Sequence, residues 1–115
     1  MKKGENKESI FEETIQTFIE KIRPPQEIRD EFDIGYTFEK RVLEIFEIRA
    51  NWRNESEKIH IPVVKVRFMK SKQIWKMYWM RANGKWESYK PLAEEIDLYK
   101  VLEEIDNDPW GAFWT

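Results

Sequence analysis

Aromatic and basic side chains are concentrated in the segment IWKMYWMRANGKWESYK, which runs from Ile74 to Lys90. It holds three tryptophans and two tyrosines among several lysines and an arginine. Rings that stack on bases and cations that neutralise phosphates are the groups that bind single-stranded nucleic acid. The same rings can instead form the hydrophobic core of a β-hairpin. Their availability therefore depends on which side of the sheet each ring faces.

The charge of the chain is divided unevenly along its length. The segment 58–90 has nine basic residues against Glu87 alone, a local balance of +8, whereas 91–115 has seven acidic residues against Lys100, a balance of −6. The whole chain of 115 residues has a net charge of −2. Such asymmetry can mark a surface that binds a polyanion, or two parts of one domain that neutralise each other.

Side chains typical of catalysis are scarce. The chain has no cysteine and a single histidine, His60, and it has no phosphate-binding glycine loop. The carboxylate pair Glu44 and Glu47 is predicted to straddle both faces of one strand, and Asp106 with Asp108 to lie where a helix ends. We therefore expect no catalytic residues, no metal and no cofactor, and His60 is expected to be structural.

The hydrophobic pattern predicts two helices and five strands. Ser9 and Glu12 form an S-x-x-E capping box before the first helix. The predicted elements, in chain order, are a helix from Ile10 to Lys21 or Ile22, strands at 32–39, 42–50, 59–69, 74–81 and 86–89, and a helix from Leu92 or Asp97 to Asn107. A polar loop is expected at 51–58.

The predicted fold class is α+β: an N-terminal helix, a five-stranded antiparallel β-meander, and a C-terminal helix packed on one face of the sheet. Residues 1–9 are expected to be a flexible N-terminus and 10–115 a single domain. No apolar run approaches the roughly twenty residues that a membrane span needs. We expect a cytoplasmic protein with no membrane partner.

An Asn83-Gly84 pair between two strands favours a two-residue type I′ loop. That loop would place Tyr78 opposite Tyr89 and Arg81 opposite Trp86, where the guanidinium can stack on the indole. An even turn at 70–73 would place three apolar pairs on one side of the sheet, which we expect to be the core face. These pairs are Phe68 with Trp75, Val66 with Met77, and Val64 with Trp79.

The opposite side of the sheet is predicted to be a mixed surface. It would carry Val63, Lys65, Arg67, Lys76, Tyr78, Met80, Glu87 and Tyr89. The candidate ligand-binding residues on it are Lys65, Arg67, Lys76, Tyr78 and Tyr89. A one-residue shift in the turn at 70–73 would exchange the faces of the third strand and undo this division.

The tail ends in three aromatic residues, Trp110, Phe113 and Trp114. If they were exposed they would form an apolar patch, which monomeric proteins avoid. We expect the tail to dock in the same chain or on a dimer mate.

The spacing of several motifs resembles a bacterial family known as domain of unknown function 3024. The motifs are Arg23-Pro24-Pro25, Phe46-Glu47-Ile48-Arg49 with Trp52, Trp75 with Tyr78-Trp79, Asn83-Gly84-Lys85-Trp86, and Asp108-Pro109 with Gly111 and Phe113-Trp114. The likeness runs from about Ile10 to the end of the chain and departs at Thr115, where glycine is expected. It implies a small stand-alone bacterial protein and brings no activity, cofactor or catalytic residue to transfer.

Two functions are compatible with these features. The first is a non-enzymatic binding module whose basic, tyrosine-bearing sheet face binds nucleic acid. The second is a protein-interaction or self-associating module, in which the basic hairpin meets an acidic protein surface, for instance the acidic helices of a second copy. A C-terminal helix lying over the basic face would weaken the first.

Overall fold

A computed structural model describes residues 7–114 of the chain. Two helices and six strands follow one another along it. They are α1 (Lys7–Ile22), β1 (Phe32–Glu39), β2 (Val42–Asn51), β3 (Asn54–Met69), β4 (Ile74–Met80), β5 (Trp86–Ser88), β6 (Glu94–Glu95) and α2 (Leu98–Asn107). Strands β1 to β5 form an antiparallel meander in chain order, and the short β6 pairs with β4 beyond the end of β5. The predicted α+β class is confirmed, with one strand more than expected.

Helix α1 buries an apolar stripe formed by Ile15, Phe18 and Ile19. These positions recur at helical spacing, so they share one face of the helix. The helix already includes Lys7, which places Ser9 inside its first turn and not at the predicted capping position. The expected flexible segment 1–9 lies largely outside the described residues, and its residues 7–9 are helical.

Helix α2 begins directly after Asp97, a residue of a type that caps helix N-termini. The Asp97 carboxylate accepts a hydrogen bond of 2.9 Å from the backbone N–H of Tyr99, which satisfies one of the first unpaired donors. Its buried residues are Leu98, Val101, Leu102 and Ile105. Within residues 7–114, neither helix is long and apolar enough to cross a bilayer.

Both helices pack on the same side of the sheet, which we call the core face. Phe68 lies opposite Trp75, Val66 opposite Met77, and Val64 opposite Trp79, so the predicted register between β3 and β4 is confirmed. Each pair contributes to one cluster together with the buried faces of α1 and α2. Burial of each large apolar side chain there contributes about 1.5 to 3 kcal/mol.

The predicted polar loop at 51–58 is wrong. Strand β2 continues to Asn51, a two-residue turn follows at Trp52-Arg53, and β3 begins at Asn54. The Asn51 side chain accepts a hydrogen bond of 3.0 Å from the Arg53 backbone, which closes this turn locally. The side chains of Asn54, Ser56, Glu57 and Lys58 are exposed, so no core-facing alternation appears in this part of the sequence.

A β-bulge interrupts the pairing of β2 with β3. Ile45 lies opposite Val64, but the next residue, Phe46, lies opposite Pro62, which leaves Val63 as the extra residue. Val63 is buried, so its predicted position on the outer side is wrong.

The last hairpin has a three-residue loop and not the predicted two-residue one. Arg81 donates its N–H to the Lys85 carbonyl at 2.9 Å, and Gly84 donates to the Arg81 carbonyl at 2.9 Å. Gly84 has φ 79°, as expected for the left-handed residue that completes a type I turn in such loops. The register is therefore displaced by one residue, and Met80 lies opposite Trp86.

Candidate functional site

The side of the sheet opposite the helices, which we call the outer face, carries four of the five candidate residues. Lys65 lies opposite Tyr78 and Arg67 lies opposite Lys76. Alternation along β3 and β4 keeps all four on the side away from Val66 and Met77, which are buried in the core. The structure therefore brings these four candidates together.

Tyr89, the fifth candidate, lies in the core. Its side chain is 1% exposed and its ring centroid is 4.8 Å from that of Phe113. The hydroxyl donates a hydrogen bond of 2.6 Å to the Glu104 carboxylate on α2. Burial and this carboxylate raise the pKa of Tyr89 above its usual value. The predicted pairing of Tyr89 with Tyr78 on the outer face is wrong, because the three-residue loop shifts β5 by one position.

Trp86 takes the place on the outer face that Tyr89 was expected to occupy. Trp86 lies opposite Met80, and this pair is two residues along each strand from the pair of Tyr78 and Ser88. The Lys65 ammonium lies 6.0 Å from the Trp86 ring centroid, so this lysine adjoins both rings. The predicted stacking of Arg81 on Trp86 is also wrong, since the Arg81 guanidinium lies 4.2 Å from the Trp79 ring centroid instead.

Two of the three cations on the outer face have an acidic residue opposite them in the register. Lys65 lies between Tyr78 and Glu44 in the register, and the Lys76 ammonium lies 3.8 Å from the Glu94 carboxylate. That contact is partly exposed to solvent and is therefore worth little. Arg67 is exposed and is flanked by Val42 and Lys76 in the register.

The acidic C-terminal helix does not cover these cations. Helix α2 turns its apolar stripe to the core face, where it packs near β4 and β6. Glu104 approaches the sheet only through the buried Tyr89 hydroxyl, and Glu103 and Asp106 are exposed on the helical side. The acidic residues of α2 thus lie on the side of the sheet opposite Lys65, Arg67 and Lys76, whereas Glu94 on β6 lies beside Lys76.

The outer face continues from this basic patch into an apolar area. The Phe46 ring stacks on His60 with centroids 4.6 Å apart and planes at 11°. Phe46 also covers Gly35 on β1, where an added Cβ would lie 2.8 Å from the ring. His60 therefore packs against an aromatic ring at an exposed position.

The two carboxylate pairs do not converge. Glu47 is buried on the core face, where its carboxylate forms an ion pair of 3.0 Å with the Arg49 guanidinium, whereas Glu44 lies on the outer face. Within the part of the chain that the structure describes, no group of three or more acidic or histidine side chains is arranged to hold a metal ion.

Asp108 fastens the C-terminal tail. Its carboxylate accepts hydrogen bonds from the backbone N–H groups of Ala112 at 2.7 Å, Phe113 at 3.2 Å and Trp114 at 2.9 Å. Phe113 is buried and Trp114 is half-buried. The tail therefore docks in the same chain, which is one of the two predicted arrangements. Trp110 is 73% exposed.

Trp86 is the outer-face residue that sequence reasoning missed. The pattern Ala82-Asn83-Gly84 also fits a three-residue loop with glycine at its left-handed position, and that reading places Trp86 outside.

The comparisons with known proteins identify the family. A family model described as "Domain of unknown function (DUF3024)" matches residues 4–115. The chain belongs to this family. No curated protein and no solved structure matched the chain in the corresponding searches. The function of this DUF3024 chain must therefore be inferred from the arrangement of its own side chains.

Proposed function

We propose that this DUF3024 chain is a non-enzymatic module that binds single-stranded nucleic acid on its outer face. Tyr78 and Trp86 would stack on bases, and Lys65, Arg67 and Lys76 would neutralise phosphates. The observation that carries the proposal is the placement of the two rings and the three cations on one helix-free side of the sheet. The acidic helix α2 lies on the other side, so it does not neutralise this surface.

The geometry of the rings supports stacking. Tyr78 and Trp86 are diagonal neighbours on adjacent antiparallel strands, and both are partly exposed. Diagonal neighbours on one face of a sheet lie roughly 7 to 8 Å apart at their Cα atoms, within reach of one ligand. Lys65 adjoins both, so a phosphate between two stacked bases would meet a cation.

Fluorescence anisotropy with labelled oligothymidylates tests the proposal. Affinity should fall steeply as salt rises, because phosphate contacts release counterions. Replacement of either ring, Tyr78→Ala or Trp86→Ala, should cost about 1 to 3 kcal/mol of binding free energy, the usual contribution of one stacked base.

Two exposed aromatic residues away from the outer face provide matched controls. Tyr99 is 70% exposed on α2 and Trp110 is 73% exposed beyond it. Tyr99→Ala and Trp110→Ala should leave the affinity unchanged. Absence of binding by the wild type at low salt, or equal losses in the controls and the outer-face variants, would refute the proposal.

The second candidate function is self-association through the hairpin of β2 and β3. Strand β4 pairs with β3 only over Val64–Met69, so 58–62 have β2 as their one partner strand among the described residues. The hairpin also exposes Trp52, at 81%, with Ile59 and Ile61. An open strand edge can pair with the same edge of a second copy.

Light scattering distinguishes this function from the first. A stable dimer of the wild type that becomes monomeric in Trp52→Ser or in Ile59→Lys would support self-association. A monomer at all concentrations would refute it. Because the hairpin tip lies away from Tyr78 and Trp86, the same variants should keep their affinity for oligothymidylate if the two functions are separate.

A further inference from the structure

One end of the sheet carries a cluster of cations that the outer-face patch does not include. The β1–β2 turn at Lys40-Arg41 and the β3–β4 turn at 70–73 lie side by side, since the Phe68 N–H donates to the Arg41 carbonyl at 2.8 Å. Together they form a hollow of about 350 Å³, which we call the turn-end pocket. It is lined by Lys40, Arg41, Arg67, Phe68, Met69, Lys70 and Ser71.

Most cations of the turn-end pocket lack an acidic partner. Arg41 pairs with Glu8 at 3.2 Å. Among the side chains that the structure describes, Lys40, Arg67 and Lys70 make no ion pair. Several exposed like charges repel each other at close range, so an anion bound between them would relieve that repulsion.

The backbone conformation at Lys40-Arg41 also favours a binding site at this end of the sheet. Both residues have positive φ, 52° and 65°, in a two-residue hairpin turn that favours asparagine and glycine. Residues with side chains are uncommon in this conformation, and such outliers cluster at binding sites. Two long cations thus occupy positions where the backbone alone would select smaller residues.

The turn-end pocket is continuous with the outer face. Lys40 and Arg67 also line an adjoining hollow of about 550 Å³ on that face. Its other lining residues are Thr37, Glu39, Val42, Glu44 and Lys65. Lys65 and Arg67 are two positions apart on β3, or roughly 7 Å, and both point to the outer face. A line of cations therefore runs from the Tyr78 and Trp86 rings past Arg67 to the end of the sheet.

We propose that the turn-end pocket is a phosphate subsite for the same nucleic-acid strand. It takes backbone phosphates of nucleotides that follow those stacked on Tyr78 and Trp86. The strand runs past Lys65 and Arg67 and reaches Lys40 and Lys70. Glu39 and Glu44 border this path on its β2 side, and Glu44 lies opposite Lys65, so the ligand passes Lys65 and Arg67 on the side of β4. This inference rests on the proposed function of the outer face.

The test compares short and long ligands on the double variant Lys40→Asn with Lys70→Gln. Asparagine tolerates the positive φ at position 40, so the turn is retained. The probes are fluorescein-labelled oligothymidylates of about four and about twelve nucleotides, since a footprint of roughly 4 to 16 is usual for one single-strand module. A longer oligonucleotide offers more overlapping binding sites, so both proteins bind it more tightly. The informative quantity is therefore the ratio of the variant's affinity to that of the wild type, compared between the two ligands.

The double variant should bind the long oligothymidylate several-fold more weakly than the wild type and bind the short one equally well. Loss of two phosphate contacts should lower the slope of log affinity against log salt by about 1.4 for the long ligand. Lys21→Gln with Lys100→Gln removes the same charge from the helical side and should change neither affinity. Equal weakening of both ligands, or of neither, would overturn the turn-end subsite while the outer-face proposal stands. No binding of either ligand by the wild type would overturn the outer-face proposal itself, and the subsite with it.

Discussion

The attachment of the tail by Asp108 gives a stability prediction that can be worked out from the structure. The Asp108 carboxylate accepts from Ala112, Phe113 and Trp114, and the Trp114 indole donates to the Ile105 carbonyl at 2.8 Å. These bonds hold Phe113 at 5% exposure against the core. The perturbation that removes the charge with the least change of shape is Asp108→Asn.

The expected loss follows from the number and type of bonds. A hydrogen bond to a charged group contributes about 1.5 to 3 kcal/mol, and an asparagine amide nitrogen cannot accept at one of the two oxygen positions. The bonds share one carboxylate and the released N–H groups return to water, so the losses are not summed. We expect the free energy of unfolding to fall by about 2 kcal/mol in Asp108→Asn. Asparagine tolerates the left-handed φ of 41° at this position, so backbone strain does not enter.

Urea denaturation followed by circular dichroism measures the loss, and amide hydrogen exchange locates it. Ala112, Phe113 and Trp114 should lose protection in the variant. The matched control is Asp106→Asn, which removes the same charge near the same helix end. The Asp106 side chain is 41% exposed and 3.8 Å from Lys21, so this change should alter stability by less than about 0.5 kcal/mol.

Removing a carboxylate near the C-terminus of a helix is by itself slightly favourable, because the macrodipole there is negative. A loss specific to Asp108→Asn therefore cannot come from the helix dipole. If both variants keep wild-type stability and the three amides stay protected, the Asp108 carboxylate does not hold the tail, and this prediction is wrong.

Two further predictions concern the edge strand β1. The Arg23 guanidinium donates to both Asp33 oxygens, at 3.0 and 2.8 Å, and lowers the pKa of the Asp33 carboxyl in the folded protein. The stabilisation from this ion pair is therefore complete above the pKa of an unfolded aspartate, about 3.9. It is lost as the pH falls through the lower pKa of Asp33 in the folded protein. Asp33→Asn should therefore lower stability at neutral pH and flatten its decline below about pH 4 in urea titrations, and an unchanged pH profile would contradict this. Gly35→Ala should lower the free energy of unfolding by about 1 kcal/mol in the same assay, because the new Cβ would lie 2.8 Å from the Phe46 ring and displace it. Wild-type stability of this variant would mean that the Phe46 ring can move without cost.

The parts of the fold that sequence could predict are those where local pattern and burial agree. Alternation along β1 identifies the strand, and the pair Lys40-Arg41 closes its hairpin where expected. The register of β3 on β4 was predictable because only one register pairs large apolar residues such as Phe68 and Trp75 on one side. The two helices follow from their apolar stripes.

Prediction fails where a strand is exposed on both sides. Residues 54–58 carry polar side chains, so nothing in their pattern distinguishes a strand from a loop. Asn54 pairs with Asn51 across the short turn at Trp52-Arg53, and regular pairing begins at Lys58 opposite Ala50. Prediction also fails at the bulge of Val63, for a different reason: two consecutive buried valines have no single period that assigns one to each face. The candidate site suffered less, because Lys65, Arg67, Lys76 and Tyr78 all lie in the correctly registered strands.

The last hairpin shows which influence decides when a local preference conflicts with the core. Asn83-Gly84 alone favours a two-residue loop, but that loop would turn Tyr89 away from Glu104 and towards solvent. The observed three-residue loop keeps Tyr89 at 1% exposure and presents Trp86 on the outer face. The two-residue loop would bury Trp86 in exchange for Tyr89, so the observed loop is favoured by the hydrogen bond from Tyr89 to the Glu104 carboxylate, about 1.5 to 3 kcal/mol.

Deletion of Ala82 tests this explanation directly. The shorter loop can form only if β5 shifts by one residue along β4, which exchanges the two faces of β5, or if the turn is strained. Either outcome should lower the free energy of unfolding by about 1.5 to 3 kcal/mol, from the loss of the hydrogen bond between Tyr89 and Glu104, because a shifted β5 exchanges the burial of Tyr89 for that of Trp86. The control Ala82→Ser keeps the loop length at an exposed position and should stay within about 0.5 kcal/mol of the wild type. A deletion variant as stable as the wild type would mean that the Asn83-Gly84 turn sets the register and that Tyr89 burial does not. A shifted β5 would also take Trp86 off the outer face, so under the proposed function the same deletion weakens oligothymidylate binding in whatever fraction of the chain remains folded.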